Sequence, residues 1–321
     1  MSNKLFYGAL ATAKQVTLLK AERIARMLDC DTAQDAFRLA QEGGFGGQSA
    51  TIDQAVNYER KALADFFRKE CPSDRLKKYL LARFDFLNCE IAIKAKHTGI
   101  DAKSMMVDYG YYPVDLIKES VDKMDYAKLP QAFAQVLTTA ENAFEDKTAD
   151  GFTISNMFIK AQYEYLKKLA TLTFLEQDLK NRIDCINILT AMRCDGDSDL
   201  FEELFLQGGK MPIKKLALLL NKDFATIEKE FMFEEINDFI KIVAKDVMEN
   251  RPAISGEAYC DSIAIKRMKD KRFDLTAEEE FYLYWLYKQS QITNVNVIVV
   301  GKLSNADKTE IKMRLRESYE N

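Results

Sequence analysis

An all-α fold is predicted for this chain on three observations. Only 13 of its 321 residues are glycine and 5 are proline, so few positions force the backbone out of a long helix. Apolar residues recur at helical spacing along most of its length, Leu18, Leu19, Ile24, Met27 and Leu28 being one run. Two segments of one pattern, Arg83-Phe-Asp-Phe-Leu-Asn88 and Arg182-Ile-Asp-Cys-Ile-Asn187, recur at an offset of about 100 residues. Each reads Arg-x-Asp-x-apolar-Asn. At an equal distance beyond each Asn lies a second matched pair, Gly110-Tyr-Tyr-Pro113 and Gly209-Lys-Met-Pro212. Two independent landmarks sharing one offset point to a duplicated helical template. A weaker third copy lies around Gln291-Ile-Thr-Asn294, with Gln291 where the others have Asp85 and Asp184. The chain is read as three related helical units, 1–105, 106–205 and 206–321.

Taken in order, residues 4–42 carry helical spacing, with Asp31-Thr-Ala-Gln34 as a capping box for a short helix. Gly43-Gly-Phe-Gly-Gly-Gln-Ser49 lacks the Gly-Lys-Ser/Thr ending of a phosphate-binding loop and follows no clear strand, so it reads as a flexible connector. Thr51 to Lys96 is helical except near Cys71-Pro-Ser-Asp74, where Pro72 suits the start of a new helix. On that second helix Phe84, Leu87, Asn88, Ile91 and Ala95 share a face, as Ile183, Ile186, Asn187, Thr190 and Cys194 do in the second copy. An Asn in such a stripe is expected to be a buried amide bonded to a neighbouring helix or backbone group. Gly99 and Gly110 bracket a break, followed by helices from Val114 and from Gln131 to Glu145. Ile154–Leu175 and Leu179–Cys194 read as an antiparallel helix pair. Asp195-Gly-Asp-Ser-Asp199 lacks the later Gly and distal Glu of a calcium loop and reads as a solvated turn.

The last third opens with Phe201–Leu206 and a helix from Ile213 to Leu220. Residues 226–249 are amphipathic, with Ile227, Phe231, Phe233, Ile236, Phe239, Ile240 and Val243 apolar. Ile263–Phe273 carries Lys266, Arg267, Lys269, Lys271 and Arg272, read as a solvated helix end. Thr276-Ala-Glu-Glu279 is a capping box for an aromatic helix. Val295–Val300 has strand-like composition but occupies the place of a helix in the other copies, and is read as helix. Ser304 or Asn305 is expected to cap a closing helix, Lys308–Tyr319, with Ile311, Leu315 and Tyr319 as its stripe and Lys312, Arg314 and Arg316 solvated.

Composition narrows the function. A net charge of −4 and a pI near 5.4 give no electrostatic case for nucleic acid. The first residues do not read as a secretory signal, and the longest apolar runs, such as Leu216–Leu220, fall well short of the ~18 residues a membrane span needs. Cys30, Cys71, Cys89, Cys185, Cys194 and Cys260 form no Cys-x-x-Cys pair and suit a reducing cytosol, packed as small apolar groups. His97 is the lone histidine, so a nucleophile–histidine pair would have to use it, and nothing nearby activates one. Lys94 stands three residues before it, where a helical di-iron site would need Glu. No catalytic, cofactor-binding or metal-ligating residue is assigned.

With these residues assembled, the chain resembles the central-stalk component of V-type ATPases, designated C in archaeal and bacterial enzymes and d in eukaryotes. The resemblance rests on Arg182-Ile-Asp-Cys-Ile-Asn-Ile-Leu-Thr-Ala-Met-Arg193, similar to the family's Asp-x-x-Asn-x-x-x-x-x-Arg element. It rests equally on Ile292-Thr-Asn-Val-Asn-Val-Ile-Val-Val-Gly-Lys302 and Glu310-Ile-Lys-Met-Arg-Leu-Arg-Glu-Ser-Tyr319. It implies a funnel of three similar domains about a pseudo-threefold axis, without catalytic activity or cofactor. It further implies a rotor position on the cytoplasmic face of the membrane, where the protein joins the axle of subunits D and F to the proteolipid ring without spanning the bilayer itself. Two rival readings stand beside it. An α-solenoid adaptor would stack its units in a line, and an all-helical enzyme with an unrecognised site would show a pocket with convergent polar groups.

Overall fold

The computed structural model of the chain describes residues 2–221, 227, 229–232, 236–249, 254–271 and 274–320. All regular structure among the described residues is helical. The helices are α1 (Ser2–Gln15), α2 (Ala21–Asp29), α3 (Ala33–Glu42), α4 (Ile52–Glu70), α5 (Asp74–Thr98), α6 (Val114–Lys123), α7 (Gln131–Glu145) and α8 (Gly151–Leu169). They continue as α9 (Thr173–Arg193), α10 (Ser198–Leu204), α11 (Ile213–Leu216), α12 (Asn237–Met248), α13 (Ile254–Lys269), α14 (Ala277–Leu303) and α15 (Lys308–Met313). The chain divides into two compact units. One comprises Met1–Leu63, Lys180–Phe205 and Gly209–Asn321; the other comprises Ala64–Leu179 and Leu206–Gly208.

In the second of these units α5 is the axis. Ser73 starts it by accepting from Leu76 N, and Gly99 ends it in the left-handed conformation at φ 73°. The buried faces of α6, α7 and α8 pack on it. Phe86 on α5 meets Phe133 of α7 edge-on at 4.4 Å and Tyr165 of α8 at 5.7 Å. Lys94 Nζ bonds Ser155 Oγ at 2.6 Å across the α5–α8 seam. Within this unit α8 packs on both α5 and α7. Leu87, placed on the apolar face by spacing, is 41% exposed, while its neighbours Phe84 and Asn88 are buried.

Among the described residues the other unit shows two apolar cores. One joins Cys185, Ile188 and Met192 of α9 to Leu216, Phe231, Phe239 and Val243. The amphipathic stripe expected over 226–249 is buried at Ile227, Phe231, Ile236, Phe239, Ile240 and Val243, and Phe233 lies outside the described residues, as do Arg272 and Phe273. The second core joins α2 and α3 to Ile292, Val295, Ile298 and Val299 of α14. The strand-like Val295–Val300 is therefore helical.

Several local readings need correction. Thr32 caps α3 by accepting from Asp35 N, one residue later than the expected box. Asp307 caps α15, while Ser304 closes α14. That last helix stops at Met313, and the chain beyond it is not helical, because backbone groups of Arg316 and Glu317 are bonded by the side chains of Asn294 and Ser262. Arg316 is mostly buried and pairs with Asp261 at 3.1 Å. The Gly43–Ser49 loop is pinned: Gly46 N donates to the buried Glu59 at 2.6 Å, Ser49 Oγ donates to Gly46 O, and Phe45 is 1% exposed. Glu59 in turn pairs with Lys288 at 2.5 Å. The Thr276–Glu279 capping box is formed as expected.

Candidate functional site: a repeated Asp–Asn clasp

The repeated sequence motif folds into one repeated device. Asp85 and Asn88 lie one turn apart on α5, so both side chains leave the same face. Asp85 is 1% exposed and its carboxylate accepts from Tyr111 N and Tyr112 N, both at 3.0 Å. Asn88, fully buried, donates from Nδ2 to Val107 O and accepts at Oδ1 from Val107 N, both at 2.8 Å. Four hydrogen bonds thus hold the loop before α6 against one face of α5. Arg68 also donates to Gly110 O of that loop.

The second copy repeats the Asp half of this geometry at the same spacing. Asp184 on α9, 1% exposed, accepts from Lys210 N at 2.9 Å and from Met211 N at 3.1 Å. Asn187 is fully buried one turn further along the helix. The glycines that mark the motif now have a reason. A Cβ on Gly110 would stand 2.1 Å from Asp85 Oδ1, and one on Gly209 would stand 2.1 Å from Asp184 Oδ1. Only hydrogen at Cα lets the backbone come close enough for the carboxylate to take the next two N–H groups. Pro113 and Pro212 then serve as N-caps of α6 and α11, positions where a missing N–H costs little.

The third copy keeps the Asn and changes the Asp. Asn294, fully buried on α14, accepts from Arg316 N at 2.7 Å and donates to Arg316 O at 3.0 Å. Gln291 accepts from Leu19 N at 2.8 Å. Sequence reasoning foresees the buried Asn88 and Asn187 side chains and the backbone bonding seen at Asn88; it misses the role of the Asp, whose signal is the Gly placed at a constant distance after it.

Electrostatics give these groups a structural rather than a chemical character. Burial pushes the Asp85 carboxyl up to about 7, against the lowering effect of the Tyr112 and Tyr111 N–H groups and of Arg68. The Cys185 thiol is raised by its hydrogen bond with Cys260 and by burial, so it is held away from the thiolate form that reacts. His97 stacks on Phe144 with centroids 4.3 Å apart, and its Nε2 lies 3.3 Å from Glu141, which also takes Lys96. Its setting is a packed side chain with a carboxylate neighbour. Among the described residues no group of three or more His, Cys, Asp or Glu is placed to hold a metal ion, and no helix is long and apolar enough to cross a membrane.

The model of the family described as ATP synthase (C/AC39) subunit matches residues 8–314, nearly the whole chain and all three clasps up to Asn294. The chain belongs to the ATP synthase (C/AC39) subunit family. It is similar to the C subunit of the V-type sodium ATPase of Enterococcus hirae, at 17% identity with 97% of both chains covered. It is also similar to the C subunit of the V-type ATP synthase of Thermus thermophilus, at 25% identity over 70% of this chain and 73% of the relative. Low identity beside near-complete coverage fits a C/AC39 protein whose architecture is set by apolar stripes, which many residues can fill, and by a small number of clasp positions. Membership places the chain among the non-catalytic stalk components of a rotary ATPase assembly.

Proposed function

We propose that this chain is the central-stalk coupling protein of a V-type ATPase or ATP synthase. It seats on the membrane ring of proteolipids at the cytoplasmic face and receives the lower end of the D–F axle. Its three helical units, divided near residues 105 and 205, surround the axle as a funnel with pseudo-threefold symmetry. The family match over 8–314 carries this reading. The repeated clasp supports it, because three copies of one packed device suit a body built around an axis. A part that passes torque must deform little, which close-packed helices with buried polar bonds achieve. Exposed apolar side chains just beyond the end of α5 and at the start of α8, Ile100 at 57% and Phe152 at 55%, are the kind of surface a ring or axle would cover. Whether sodium or protons drive the ring is a property of the ring itself. A pull-down of the purified chain against the D–F axle, and separately against the detergent-solubilised proteolipid ring, tests the proposal. Capture by both is expected; capture by neither refutes it.

A further inference from the structure

In the first two copies the chain runs unbroken from the clasped backbone into the next helix. The N–H bonded by Oδ1 belongs to the residue two places before that helix: Tyr112 before Val114, and Met211 before Ile213. Pro113 and Pro212 occupy the N-cap between them. In the third copy the N–H taken by Gln291 is that of Leu19, which lies two places before Ala21, the first residue of α2, with Lys20 as its N-cap. The register matches the other two copies, yet the bonded residue comes from the opposite end of the chain. The C-terminal segment held by Asn294 reaches the same point. Ala21 N donates to Tyr319 O at 2.9 Å, and Lys20 and Tyr319 form an isolated parallel bridge. Beyond the junction, α2 and α3 pack on α14 as α6 and α7 pack on α5. Lys302 Nζ donates to Leu28 O at 2.9 Å, and Lys308 pairs with Asp29 at 2.6 Å.

We infer that α2 and α3 complete the third repeat, and that Leu19–Ala21 with Gln291, Asn294 and Tyr319 forms a latch by which that repeat is joined from its two separate segments. This rests on the three-unit reading above and moves its first and last boundaries. The latch explains why Gln291 departs from the pattern. An Asp takes two N–H groups from a continuous turn opened by Gly; here the turn is cut and Leu19 presents one. A neutral amide meets one donor without leaving a buried carboxylate half paired. Of the three clasps this is the one joined by non-covalent contacts alone, so it can open without disturbing the covalent path through the other two. Opening would release α2 and α3 and uncover Ile292, Val295 and Ile298.

Hydrogen–deuterium exchange on the full chain tests the latch. Gln291→Leu, and separately Gln291→Ala with Asn294→Ala, are expected to speed exchange about tenfold or more at 19–42 and 308–319 together, leaving 74–123 unchanged. If the C-terminal segment loosens while 19–42 keeps its protection, or neither end responds, the latch is refuted. A circular permutant supplies a second measurement. A flexible linker of about 12 residues spans the roughly 21 Å length of α1, and new ends are opened within 146–150. The permutant is expected to keep the parent's helical signal and melting temperature. Failure to fold, while a Gly-Ser insertion at 146–150 of the unpermuted chain is tolerated, overturns the proposal. Both measurements use the isolated chain, so their failure leaves the axle and ring pull-downs to judge the stalk reading on its own.

Discussion

Gly110→Ala is the sharpest perturbation the clasp allows. The new Cβ would fall 2.1 Å from Asp85 Oδ1 and 3.0 Å from its Cγ, so one or the other must move by about an ångström to reach ordinary contact. Backbone strain is not at issue, because Gly110 is not among the glycines with positive φ. Asp85 is 1% exposed, so a displaced carboxyl finds little water to replace its partners. Displacing it stretches the two 3.0 Å bonds from Tyr111 N and Tyr112 N beyond useful length. At about pH 8, above the folded value of about 7, the Asp85 acceptor is charged. Hydrogen bonds to a charged acceptor contribute about 1.5–3 kcal/mol each, and partial relaxation recovers some of this, so a loss of roughly 3–5 kcal/mol is expected. Urea unfolding followed by far-UV circular dichroism measures it, with exchange over 74–123 showing where the loss lies. Gly44→Ala is the control, since Gly44 has φ +87° but nothing within 4 Å of its Cβ position; only the left-handed backbone cost of about 1–2 kcal/mol applies there. Gly110→Ala within about 0.5 kcal/mol of the parent, or no worse than the control, would refute the steric account.

Gly209→Ala is expected to repeat the effect at Asp184, at equal size within a factor of about two, with loosening at 180–216 in place of 74–123. Asp85→Asn addresses pH. A folded value of about 7, above the unfolded carboxyl value, means the folded state holds the extra proton, so the stability Asp85 contributes is full below about pH 4 and is lost as pH rises to about 7. Stability of the parent relative to Asp85→Asn should therefore fall by on the order of 4 kcal/mol between pH 4 and 7 and then level off, while a difference independent of pH contradicts the assignment. Lys288→Met leaves Glu59 buried without its cation and is expected to cost about 3–5 kcal/mol. Adding Glu59→Gln should return part of that loss in a double-mutant cycle, and protease cutting within Gly43–Ser49 reports whether the loop is released.

Much of this architecture is legible in the sequence because the repeat transmits it. Val295–Val300 has the composition of a strand, and its place in a third copy of two helical segments decides the matter correctly. Where readings fail, the deciding partner is remote in sequence. The Gly43–Ser49 loop reads as loose until Glu59 and Lys288 are known to hold it. The stripe of Ile311, Leu315 and Tyr319 satisfies helical spacing, and nothing local reveals that Asn294 and Ser262 take the backbone groups a longer helix would need. Gln291 looks like a decayed Asp because its donor stands at the other end of the chain.

The clasp also clarifies why a protein without bond-making chemistry keeps carboxylates and amides in its core. Apolar stripes supply most of the stabilisation, but the hydrophobic effect is non-directional, and one helix face can meet a loop in several nearly equal positions. A buried carboxylate with two backbone donors has one acceptable position, since a slip of a single residue removes both bonds and strands the charge. Asp85 and Asp184 fix that position identically in two copies, and Gln291 fixes it in the third. Apolar burial then makes the helices cohere, while the clasps fix each following helix at one register on its long partner. The coupling role proposed above needs the second property as much as the first.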